Sequence, residues 1–531
     1  MKHSKLFFLA LWGCGLLSCS LDSGSPDIPG VSSSEEEALT HGMMVLGKQL
    51  DDPYSVGNVT KALASLYPAK AVEGEVSTTH LYVRFLPSGQ DQYDTLDSLG
   101  VEMLDHPVDF EIVRDGDYYH DPTVPEGDIT WQYAVLPPDF DFPKGIRYEI
   151  LDRCHITEHE VITRADADGI DWEAVEREAF RITGNAHMLS EPGTKGSSES
   201  KPSGRVTLVD DYYPDAPEGV RGVRVACNVF VKIAQTYTDE NGYYQMGKSF
   251  SSKPRYWLVF KNKKGFGIGL NLILVGGSSS TMGKHSAEGY DMEVSSKSDH
   301  SLFCRCVVNN TVWDYFEQCS NSKVAMKAPP SNLRLWLFGK MSSSSTVMMQ
   351  HGAGIDNTMI GKYLGEYATI VKWFLPDITI GTRNCKDYAS VFASTVHELS
   401  HATHFQQAGK EYWDRFIEYV LGSFISSGFV TYGSGGEEDS GVCEVGEMWA
   451  YYMESKLYRL RYPESEAAFG TSWWFYPQIF MFLDERGLNR YQISKALLSD
   501  VTDRDLLRDK LLNLYPEFKT NIQMAFNRYY R

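Results

Sequence analysis

His397-Glu398-Leu399-Ser400-His401 is the stretch that most limits how this chain can fold. Two histidines four residues apart share a face on an α-helix, where both imidazoles project side by side and can grip one metal ion. The intervening Glu398 then lies beside that ion, where a carboxylate can take a proton from water. The flanking sequence agrees with a helix. Val391, Phe392, Val396 and Leu399 have apolar helical spacing, Thr382-Arg383-Asn384 supplies N-cap candidates, and Gly409 offers a stop after about Gln407. Upstream, Trp373 to Gly381 reads as a short strand with Pro376 near its start.

A catalytic Zn²⁺ takes a third protein ligand and keeps a fourth position open. His404 is on the same helix but a full turn beyond the pair, so a straight helix cannot bring all three imidazoles to one ion. Glu447 follows the Gly- and acid-rich loop from Gly433 to Gly441, at the start of an apolar pattern formed by Val445, Met448, Trp449 and Tyr452. Glu444 and Cys443 compete with it, since both carboxylates and thiolates bind zinc.

A strand leading directly into H-E-x-x-H resembles the zincin metallopeptidases, and the resemblance implies an edge strand that holds an extended substrate by β-pairing. The metzincin pattern H-E-x-x-H-x-x-G-x-x-H does not fit, because His404 stands at its Gly position and Gln407 at its last His. Glu447-Met448-Trp449-Ala450, a Glu-x-x-Ala on a downstream helix, resembles the gluzincins. That resemblance implies His397, His401 and Glu447 as ligands of Zn²⁺ and Glu398 as general base. Tyr476 and Tyr432 are candidate donors to the developing oxyanion, although aromatic clusters of this kind also build cores.

Lys2 and Lys5 precede an apolar run from Leu6 to Leu17, too short to span a bilayer and shaped like a signal-peptide core. Leu16-Leu17-Ser18-Cys19 resembles a bacterial lipobox, which implies lipidation at Cys19 and removal of residues 1–18. Residues 19–40, rich in Ser, Gly, Pro and Glu, read as a flexible tether. Ser20 after the cysteine implies an outer-membrane lipoprotein facing the periplasm or the cell surface. The lipid is the expected membrane anchor, as no later run of apolar residues is long enough to span.

The formal net charge of −20 becomes −22 once Lys2 and Lys5 leave with the signal, which argues against nucleic acid as a partner. Of nine cysteines, Cys14 departs and Cys19 is modified, so seven remain and at least one is unpaired. Cys304, Cys306 and Cys319 cluster and have room for one bridge. If Cys304-x-Cys306 lies on a strand, its two thiols share a face.

A chain of 531 residues holds several domains. Residues 41–155 read as a small α/β module that starts β-α-β, with strands at 81–85 and 101–104 around a helix at 90–99. Its place ahead of a peptidase resembles a propeptide, with an accessory domain as the alternative. Residues 156–203 hold a helix near 171–182 and a Ser-rich linker. Residues 204–270 carry short alternating strands of a β-sandwich, with Asn241-Gly242 as a tight hairpin turn. The order Gly-x-Val, Gly-Val-x-Val, Thr-Asp-x-Asn-Gly-x-Tyr there resembles the carboxypeptidase regulatory-like, transthyretin-like domain, which implies a spacer or binding unit. Residues 271–531 form the metallopeptidase domain, strands first and then mainly helices at 413–425, 447–460, 475–486, 492–498 and 504–529. No Gly-rich phosphate loop or G-x-S-x-G elbow occurs.

The expectation is therefore a multidomain α+β protein: a lipid-anchored, zinc-dependent peptidase acting on protein or peptide. The alternatives are a cell-surface adhesion lipoprotein with a vestigial zinc site and a zinc hydrolase of non-peptide amides.

Overall fold

The computed structural model describes residues 43–71, 76–125, 128–156, 169–189, 201–270, 278–320, 326–339, 341–353, 377–426, 432–465 and 474–529. The signal segment, Cys19 and the tether lie outside these residues, as do 373–376 of the expected strand. The described fold mixes helices and several sheets. None of its helices is long and apolar enough to cross a membrane.

The N-terminal portion comprises β1 (Val45–Gln49), α1 (Val56–Leu66), β2 (His80–Leu86), α2 (Gln90–Ser98), β3 (Phe110–Arg114), β4 (Gln132–Leu136), β5 (Arg147–Cys154) and α3 (Trp172–Ile182). β2 lies between β4 and β5, antiparallel to both, and β1 pairs with β3. The strand expected at 101–104 does not form. Gly100, at φ +75°, reverses the chain after α2, and Leu104 makes only an isolated bridge to Tyr133. The partners of β2 thus come from later in the chain, and the β-α-β start is replaced by an antiparallel sheet.

Next come β6 (Ser203–Leu208), β7 (Glu218–Gly219), β8 (Val223–Val229), β9 (Lys232–Tyr237), β10 (Tyr243–Gln245), β11 (Arg255–Asn262), β12 (Gly267–Leu270), β13 (Ser279–Lys284) and β14 (Met292–Val294). β6 gathers β7, β10 and β14 into one sheet, while β8, β9, β11 and β13 pair antiparallel in another. Val206, Leu208 and Tyr244 of the first share a core with Val225, Cys227, Tyr256 and Leu258 of the second. Because β9 and β10 belong to different sheets, Asn241-Gly242 carries the chain between sheets rather than closing a hairpin. Only the glycine is left-handed there, at φ +82°, and a Cβ on it would meet Val206 O at 2.1 Å.

The second sheet does not stop at residue 270. β11 joins β12 through Lys261 and Gly267, and β12 runs parallel to β15 (Arg334–Phe338), which follows the long helix α4 (His300–Cys319). β15 in turn pairs parallel with β17 (Ile378–Gly381), and β16 (Ser345–Thr346) lies antiparallel on its outer side. A boundary at 270/271 would cut this 8-stranded sheet. The strand expected to be the edge, β17, is one position inside it; among the described residues the outermost strand is β16.

Side chains alternate across a strand, and the two faces of β11 meet different partners. Trp257 and Val259 pack with Met44, Leu46 and Ile112 of the N-terminal portion, whereas Tyr256, Leu258 and Phe260 join the main core with α4. The N-terminal portion thus covers the back of the sheet. Its contacts there have one polarity: Asp94 pairs with Arg334, Asp97 with Lys261, Asp115 with Arg255 and Asp117 with Arg305.

The front carries α5 (Tyr388–Ala408), α6 (Lys410–Ser426), α7 (Ser440–Arg461), α8 (Gln478–Asp484), α9 (Arg490–Ser494), α10 (Arg504–Leu514) and α11 (Lys519–Arg528). The single helix expected over 504–529 is two, because Pro516 interrupts it. Cys304 and Cys306 sit on helix α4 rather than on a strand. All seven cysteines from Cys154 onward are buried and free, so the cluster of Cys304, Cys306 and Cys319, which had room for one bridge, contains none.

Candidate metal centre

Helix α5 carries the H-E-x-x-H motif. It starts at Asp387, later than the Thr382 to Asn384 caps expected from sequence. Thr382 and Arg383 donate their N–H groups to Phe338 O and Met341 O and so remain with the sheet. Asp387 is extended, and its carboxylate accepts from Ser390 N at 2.8 Å while its own N–H reaches Ser390 Oγ, a capping box. The helix ends at Ala408, with Gly409 as C-cap at φ +86°.

Three elements lock the helix in place. Tyr315 OH, from α4, lies 3.1 Å from Ser400 Oγ, and Trp449 Nε1, from α7, donates to Ser400 O at 3.0 Å. Phe416 of α6 packs beside His401, and a Cβ on Gly446 of α7 would meet that ring at 2.8 Å. Gly446 thus lets α6 and α7 approach closely next to Glu447.

The result brings His397, His401 and Glu447 together in full burial. His397 Nε2 is 3.5 Å from Glu447 Oε2, and His401 Nε2 is 3.4 Å from Glu447 Oε1. Those separations are too long for good hydrogen bonds. Among the described residues, His397 Nε2 and both ring nitrogens of His401 have no hydrogen-bond partner. Orphaned buried nitrogens converging on a carboxylate form a group able to hold a metal ion.

The electrostatics follow from burying two imidazoles among carboxylates. Burial alone would depress the His397 imidazole, but Glu447 and Glu454 raise its pKa to about 10. Burial works against ionisation of Glu447, yet His401 and His397 bring it down to about 2. His401 is lowered by burial, with Glu447 opposing. Without metal, a proton on His397 supplies the positive charge between the carboxylates.

Glu398 is fully buried. Thr346 Oγ1, on the edge strand β16, lies 2.7 Å from its Oε2, whereas Oε1 has no hydrogen-bond partner among the described residues. Burial lifts its pKa to about 8, against the pull of His397 and the Thr346 hydroxyl.

Two neighbours have no signal in the motif itself. Glu454, on α7, accepts from His397 Nδ1 at 2.9 Å and so fixes which ring nitrogen points at Glu447. Its spacing from Glu447, two helical turns on the same face, is the sequence clue. Thr346 lies in a Ser-rich stretch that reads as loop, so nothing local marks it.

The other candidates lie elsewhere. Glu444 pairs with Arg504, and Cys443 is buried with its pKa raised by desolvation. His404 packs against Tyr412 and Trp413, and burial with the nearby His401 lowers its pKa to about 3. Tyr476 stacks near Tyr529 and under Arg504, and no contact joins it to the metal group among the described residues. Tyr432 is buried at φ +66°, edge-on to Phe475. Phe475 stacks on Tyr451, whose ring lies 4.5 Å from that of His397, so Tyr432 is two rings removed from the ligand.

The chain matches no family model, no curated protein and no solved structure.

Proposed function

We propose that this chain is a zinc-dependent peptidase of gluzincin type, tethered to the outer membrane through lipid on Cys19. The observation that carries the reading is the spacing of the three donors. One ligand atom from each of His397, His401 and Glu447 lies within 4.8 Å of the other two, a grouping that a single zinc ion with bonds near 2.1 Å can draw together. The donor set, two imidazoles and one carboxylate, leaves a fourth position for water or substrate.

His397, His401 and Glu447 would hold the zinc ion, which would supply a Lewis acid for the scissile carbonyl and lower the pKa of water towards neutral. Glu398 accepts a proton from that water and delivers it to the leaving amine. Glu454 holds His397 in the tautomer with Nε2 free. The N-terminal module, docked behind the sheet, acts as an accessory layer.

The test uses the chain without residues 1–19, loaded with zinc and offered casein and a peptide library. Hydrolysis by the parent and its loss in Glu398→Gln, with zinc retained, support the reading. Stoichiometric zinc without hydrolysis of any peptide contradicts it and favours a binding protein. Cleavage confined to non-peptide amides assigns a different substrate class.

A further inference from the structure

We infer that Thr346 is a positioning residue for Glu398: its hydroxyl engages Oε2 and leaves Oε1 as the oxygen that takes the proton. The inference rests on Glu398 being the general base. A carboxylate with both oxygens free can rotate about its last bond, and only some of those orientations suit proton transfer. Here Thr346 Oγ1 stands 2.7 Å from Oε2 and 2.8 Å from the carbonyl oxygen of Glu398 itself. The hydroxyl has one proton, and the carboxylate, once ionised, is the stronger acceptor. The threonine is therefore seated against the residue's backbone while it restrains one carboxylate oxygen.

Thr346 is held rigidly enough for that task. It is buried, its backbone is paired with Ile378 of β17, and its β-branched side chain has little χ1 freedom. Next to it, Ser345 Oγ lies 2.6 Å from Thr379 Oγ1, which fixes the same short strand to the sheet. The consequence is a link between base and edge strand. The outermost strand of the sheet among the described residues is thus also the one that aims the base.

The experiment compares Thr346→Val, Thr346→Ala and Thr346→Ser in the zinc-loaded chain. Zinc content, peptide kcat and KM, and affinity for acetohydroxamate are measured for each. Acetohydroxamate chelates the metal and gives its hydroxyl proton to an adjacent carboxylate, so its binding reports the aim of Glu398 without turnover. The two hydroxyl-free variants should keep zinc and KM, lose about 10- to 100-fold in kcat, and bind the hydroxamate at least about tenfold more weakly. Thr346→Ser should stay within about threefold of the parent on both readouts. Wild-type kcat and hydroxamate affinity in Thr346→Val and Thr346→Ala would overturn the inference. So would a loss in Thr346→Ser as deep as in Thr346→Val. If no form cleaves peptides but the hydroxamate difference is present, the peptidase reading falls and the positioning role stands.

Discussion

Nδ1 of His397 lies 2.9 Å from Oε2 of Glu454, on the helix that also carries Glu447. One helix therefore supplies both the third donor and the group that orients the first. Outer carboxylates of this kind raise the basicity of a ligating imidazole and fix its ring. Glu454→Ala should weaken zinc binding by roughly 10- to 100-fold while leaving the fold intact. Competition against a chromophoric chelator measures it; unchanged affinity would mean that His397 is oriented by packing against Tyr451 alone.

Zinc binding should be strongly pH-dependent. In the metal-free protein, the two carboxylates raise His397 to a pKa of about 10, so its imidazole is protonated at neutral pH. Zinc needs Nε2 unprotonated, so binding releases that proton. The sign follows: affinity rises with pH, by about tenfold per unit from this group, and levels off as pH passes through about 10. Isothermal titration in buffers of different ionisation enthalpy counts the protons released. A count near zero at pH 7 would contradict the assignment.

Arg305, on α4, is wholly buried, and its ion pair is with Asp117 of the N-terminal portion. Its other contacts, to Ser278, Ser279, Ser280 and Ser301, are neutral. Asp117→Asn would leave a buried guanidinium without a counter-ion, at a cost of about 3 kcal/mol. Urea unfolding of the metal-free protein reads this directly. A loss below about 0.5 kcal/mol would show that the serines alone satisfy the cation.

Gly446→Ala should be destabilising although the residue is helical, where alanine is intrinsically favoured. The new methyl would lie 2.8 Å from the Phe416 ring, and overpacking of this sort costs about 1–3 kcal/mol. Because Glu447 is the next residue, zinc affinity should fall with stability. A neutral or stabilising effect would mean that α6 moves aside freely.

Tyr476→Phe should leave kcat unchanged. The ring is placed by Tyr529 and Arg504. A large drop in kcat with unchanged stability would return it to the list of oxyanion donors.

The two histidines of the metal group were legible because their determinants are local, whereas Glu447 was singled out from Glu444, Cys443 and His404 by the resemblance of its Glu-x-x-Ala to the gluzincins. His397 and His401 share a face by helix periodicity alone. Thr346 and Glu454 act through contacts that form only when β16 and α7 reach α5, and no periodicity announces such pairs. The sheet was misjudged for a related reason. β12 to β17 are joined to β8 and β11 by pairing between distant segments, so a break in composition near 270 passed for a domain boundary. At 101–104 the pattern had strand character, but β4 and β5 took both edges of β2. Pro516 was visible in the sequence, and the apolar spacing over 504–529 outweighed it wrongly.

The central claim is that His397, His401 and Glu447 hold a single zinc ion. The most direct measurement is anomalous diffraction at the zinc edge from crystals of the zinc-loaded chain. The account predicts one strong peak about 2 Å from Nε2 of both histidines and from a Glu447 oxygen, absent in Glu447→Ala crystals treated alike. No peak at this position, or an equally strong one in the variant, would contradict it.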